Sequence, residues 1–112
     1  MPKKTTRPTE VLLLGVKHTI EYIENKSESD HSDKEYGETD TQDHHIKIFL
    51  SSHKSEEAIQ STLLHEYVHG ILGVSGLGYL LDEKLEEAIV VAIENGLKGV
   101  VKIIPPKPDS KK

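Results

Sequence analysis

Apolar positions fall into four runs with different periods. Glu10 to Glu24 carries Val11, Leu12, Leu13, Leu14, Val16, Ile20, Tyr22 and Ile23, interrupted at Gly15. Its β-branched and aromatic content predicts two short strands. A helix joining Leu12, Val16, Ile20 and Ile23 is the competing reading. His18 reads as a surface strand residue. His45 to Leu50 alternates, with Ile46, Ile48 and Leu50 on one face and His45, Lys47 and Phe49 on the other, as a strand does. Ser55 to Leu72 is apolar nearly all round at helical spacing. Ser55 stands at the cap, with Glu56 and Glu57 in the first turn where the helix dipole favours acids. A second helix is expected from Leu80 or Leu81 to Leu97, with a core stripe of Leu81, Leu85, Ala88, Ile89, Ala92 and Ile93. Strands followed by helices predict an α+β fold in one domain over residues 10–104.

The connections are polar. Residues 1–9 read as a flexible leader with two prolines, and residues 105–112 as a flexible tail after Pro105 and Pro106. Asn25 to Gln42 is acidic and reads as an exposed loop, with a turn at Tyr36 to Asp40. Gly70, Gly73, Gly76 and Gly78 follow the first helix, and Gly73 is the expected terminator. Val100 to Ile104 is either a last helical turn or a short strand.

The chemistry sits inside the first helix, at Leu63-Leu64-His65-Glu66-Tyr67-Val68-His69-Gly70. Residues four apart share a helix face, so His65 and His69 converge on one point. That spacing suits two imidazoles on one zinc ion, with Glu66 beside them to accept the proton of a metal-bound water. Composition alone gives on the order of 0.05 such matches by chance. Histidines within a buried helix are costly unless something satisfies them, and a metal does. A catalytic zinc commonly takes three protein ligands, and the second helix offers Glu83, Glu86 and Glu87. Helical spacing alone does not choose among them. Asp82 and Asp40 are candidates for orienting the imidazoles. Tyr36 and Tyr79 are weaker candidates for assisting the transition state. His31 reads as solvated, whereas His44, His45 and His53 are possible extra ligands, each weak because neighbouring strand residues point to opposite faces.

Composition narrows the alternatives. The chain has 112 residues and no cysteine, which excludes disulfides and thiolate metal sites. A net charge of −5 argues against a general nucleic-acid binder. No apolar run approaches the ~20 residues of a membrane span, and Val11 to Leu14 is too short for a signal peptide. A cytoplasmic protein without nucleic-acid or membrane partners is expected.

The order of these elements resembles the small H-E-x-x-H metallopeptidases of phages and prophages, similar to the ImmA/IrrE-type zincins. The matching residues are Gly37-Glu38-Thr39-Asp40, Ile46-Lys47-Ile48, Thr62 to His69, Gly76-Leu77 and Glu86-Glu87-Ala88-Ile89-Val90. They span about half the chain, and Thr62 to His69 is the specific part. The resemblance implies a minimal zincin-like domain: a small N-terminal β-sheet packed on the H-E-x-x-H helix and a second, glutamate-bearing helix. It implies Zn²⁺ as cofactor, Glu87 (three residues before Val90) as third ligand with His65 and His69, and Glu66 as catalytic base. The implied activity is zinc-dependent hydrolysis of peptide bonds in a protein or peptide substrate, with a regulatory protein as one such substrate. The strand His45 to Leu50 is expected to lie along the cleft and hold the peptide. The competing expectations are a catalytically inactive zincin-like binding module and a phage accessory protein whose motif is fortuitous.

Overall fold

In the computed structural model, which describes residues 7–24 and 36–103, Leu14 and Gly15 both take positive φ, at 53° and 79°. Two such residues make a tight hairpin between strands β1 (Glu10–Leu13) and β2 (Val16–Ile23). The two-strand reading of this segment holds, because the glycine permits a turn where a helix would run on. Strand β3 (Gly37–Asp40) and strand β4 (His45–Phe49) complete a mixed sheet in the order β1-β2-β4-β3. β4 runs parallel to β2 and antiparallel to β3.

Tyr36 to Asp40 was expected to turn, but Gly37 to Asp40 is strand. The turn comes next, at Thr41 to His44, where the Asp40 carboxylate accepts from the backbone N–H groups of Gln42 and Asp43 at 2.9 and 3.0 Å. Those two hydrogen bonds, led by that of Asp43, hold the Asp40 carboxyl below the usual carboxylate range.

Helix α1 (Glu56–Ser75) lies across the sheet. Its cap is as expected: the Ser55 hydroxyl accepts from the Ala58 N–H. It runs past Gly73 and stops at Gly76, whose φ of +86° suits glycine. Ile59, Leu63 and Tyr67 pack on Leu13, Ile20, Ile46 and Ile48 to form the main core. Burial pushes the Tyr67 hydroxyl up to about 12. Phe49 is also fully buried, although strand alternation placed it opposite Ile48.

His18 departs most from expectation. It is fully buried, not on the surface. Residues 18 and 20 share the inward face of β2, and the motif's helix covers that face. Its Nδ1–H donates to the Val16 carbonyl at 2.9 Å, and its buried Nε2 has no partner among the described residues.

Helix α2 (Glu83–Leu97) follows a short 3-10 turn at Leu77–Leu80 and is capped by Asp82, which accepts from the Leu85 N–H at 2.7 Å. The expected core stripe holds only in part, at Leu81, half-buried against the second core cluster, and at half-buried Ile89. Val90 is the fully buried residue of α2, packed with Leu64, Val68 and Leu72. Leu85, Ala88, Ala92 and Ile93 are exposed. The side turned to α1 is the one carrying Glu86, Val90, Glu94 and Leu97, because the helix faces the histidines with its acids.

Residues 1–6 and 104–112, which include most of the expected leader and all of the tail, lie outside the described residues, as does His31. Arg7 pairs with Glu56, and the Tyr22 hydroxyl donates to the Pro8 carbonyl at 2.6 Å. Val101 forms an isolated bridge with Lys98. No helix among the described residues is long and apolar enough to cross a membrane.

Candidate metal centre

His65 and His69 lie one turn apart on α1, with ring centroids 5.0 Å apart. α2 packs beside them and presents Glu87 between the rings. One Glu87 oxygen is 3.2 Å from His65 Nε2, and the other is 3.1 Å from His69 Nε2. One donor atom from each of His65, His69 and Glu87 lies within 4.8 Å of the others. The three residues expected to share a metal are therefore brought together. Glu83 lines the same cleft but is not in this group.

The outer ring nitrogens are also engaged. His65 Nδ1 lies 2.9 Å from Glu94 Oε1, and His69 Nδ1 lies 2.7 Å from Glu86 Oε2. Asp82 and Asp40, the expected orienting acids, do neither job, since each caps backbone N–H groups. Glu94 went unrecognised in the sequence. It stands seven residues beyond Glu87, two helical turns along the same face, and that spacing was the available signal.

This arrangement tests the fit of a cation. An ionised carboxylate only accepts hydrogen bonds. All four ring nitrogens face carboxylate oxygens, and a divalent cation bound at the two Nε2 atoms would leave both Nδ1–H groups to donate to Glu94 and Glu86. Carboxylate–histidine pairs of that kind are the usual support of a metal-bound imidazole. The donor set of two imidazoles and one carboxylate suits zinc, and three acids beside two histidines call for compensating positive charge.

Glu66 lies next to this group in sequence and lines the same cleft, yet is only 5% exposed. Its Oε1 accepts from the Thr39 hydroxyl at 2.6 Å. The cleft, about 1320 Å³, runs from Tyr36, β3 and His53 on one side to Gly78, Tyr79 and α2 on the other. Its strand wall is β3, the edge of the sheet; β4, expected there, is interior and paired on both sides. His53 donates from Nδ1 to the Phe49 carbonyl and accepts from the Thr62 hydroxyl at 2.8 Å each, with Tyr36 packed edge-on at 5.5 Å. His45 sits on the outer sheet face, held by Thr19 and Glu21, and the His44 ring lies tilted against that of His18, with centroids 4.9 Å apart. None of His44, His45 and His53 belongs to the metal group.

Compared with protein-family models, curated proteins and solved structures, the chain matches none of them.

Proposed function

We propose that the chain is a zinc-dependent metallopeptidase, with His65, His69 and Glu87 holding the ion and Glu66 acting as general base. The observation that carries this reading is Glu87 lying between the two Nε2 atoms at 3.2 and 3.1 Å. A zinc ion there would supply Lewis acidity, polarising a peptide carbonyl and making a nearby water acidic near neutral pH. Glu66 accepts the proton of the attacking water and returns it to the leaving amine. Glu94 and Glu86 fix the ring orientations through Nδ1. The open cleft and the edge strand beside it suit an extended peptide, which pairs by main-chain hydrogen bonds. The proposed site of action is the cytoplasm.

Glu66→Gln in the zinc-loaded chain tests the reading. Fluorescently labelled denatured casein is expected to be cut by the wild type and spared by the variant, while both keep one zinc per chain. Zinc retention with no cleavage by the wild type would instead favour a binding module.

A further inference from the structure

We infer that Thr39 is the positioning residue for Glu66, and that it ties the seating of a peptide to the aim of the base. The inference rests on the metallopeptidase reading and adds to it a residue outside the H-E-x-x-H motif.

In an antiparallel pair, hydrogen-bonded and non-hydrogen-bonded residue pairs alternate. Phe49 N–H donates to the Tyr36 carbonyl at 3.0 Å, so Tyr36–Phe49 is a hydrogen-bonded pair. With the register Gly37–Ile48, Glu38–Lys47, Thr39–Ile46 and Asp40–His45, the next such pairs are Glu38–Lys47 and Asp40–His45. The backbone groups of Gly37 and Thr39 therefore turn away from β4, to the side that borders the cleft, where β3 is the outermost strand among the described residues.

Side chains alternate as well. The Thr39 side chain points inward, and its hydroxyl donates to Glu66 Oε1 at 2.6 Å. That contact fixes the orientation of the Glu66 carboxylate. Beside it lies Gly37: a methyl group there would stand 3.4 Å from Glu66 Oε2 and 2.8 Å from the Lys47 carbonyl oxygen. One residue of the edge strand thus offers its backbone to a peptide and its hydroxyl to the base. A displacement of the base of about 1 Å can cost about 100-fold in rate, so an anchor here has catalytic leverage.

The test compares zinc-loaded wild type, Thr39→Val and Thr39→Ser on labelled denatured casein, with zinc content measured alongside. Valine keeps the branched shape and removes the hydroxyl. Its kcat is expected to fall about 10- to 100-fold with KM within about twofold and zinc unchanged. Serine should restore most of the lost turnover. Wild-type kcat in the valine variant, or a serine variant as impaired as valine, overturns the inference. A second measurement does not depend on turnover or on the fold of a Thr39 variant. The Thr39 hydroxyl proton should give a slowly exchanging NMR resonance in the wild type that shifts and exchanges faster in Glu66→Ala, where the residue-66 backbone carbonyl, 3.2 Å away in the wild type, is the acceptor that remains. If the wild type cuts nothing, the peptidase reading fails, and this resonance alone decides whether Thr39 holds Glu66; its absence in the wild type overturns the contact.

Discussion

Glu94 lies 29 residues beyond His65, yet its Oε1 stands 2.9 Å from the Nδ1 of His65. The contact explains why the inward side of α2 is acidic where an apolar stripe was expected. α2 carries out three tasks on one face: Glu87 meets both Nε2 atoms, while Glu94 and Glu86 take one Nδ1 each. Val90 sits among them as the apolar anchor.

The Nδ1 contacts predict a graded effect on metal binding. Glu94→Gln and Glu86→Gln should each weaken zinc about 10- to 100-fold without abolishing it. Glu87→Ala should be more damaging than either, since it removes a ligand. Competition with a chromophoric chelator reads all three. Equal affinity across the set would mean that the acids do not support the rings.

Much of this was legible in the sequence. The helical spacing of His65 and His69, the Ser55 cap and the Gly15 break between strands all carried over, because each is set by local chemistry. What was not legible depended on long-range pairing. His18 looked like a surface residue because nothing near it in sequence reveals which side of β2 the helix will cover. The stripe through Leu85 and Ile93 looked like core because hydrophobicity alone does not record that the opposite face must serve two histidines. β3 looked like a turn because four residues, Gly37 to Asp40, have little strand propensity of their own and are extended by pairing with β4.

Gly37→Ala should lower stability. The added methyl would come within 2.8 Å of the Lys47 carbonyl oxygen and 3.1 Å of Thr62 Cγ2. Relief of that overlap is expected to cost about 1–3 kcal/mol, and Tm should fall by about 4–8 °C per kcal/mol for a domain of this size. Calorimetric melting gives the result, and an unchanged Tm would show that β3 yields freely.

Asp40 gives a pH-dependent prediction. Its folded-state pKa is depressed by the Asp43 and Gln42 N–H groups. The stability it adds is therefore present above the ordinary carboxylate range and is lost as pH falls through the depressed value. Asp40→Asn should be less stable than the wild type at pH 7, and the gap should close on acidification towards pH 2–3. Chemical denaturation at each pH measures it; a gap that widens in acid would reverse the sign.

The central claim is that two imidazoles of α1 and one carboxylate of α2 hold a divalent cation. The most direct measurement is zinc per chain by elemental analysis, after dialysis against a weak chelator, for wild type, His65→Ala and His69→Ala. One zinc per wild-type chain and close to none in either variant is the predicted result. A wild type without zinc, or a His69→Ala chain that holds as much as the wild type, would contradict it.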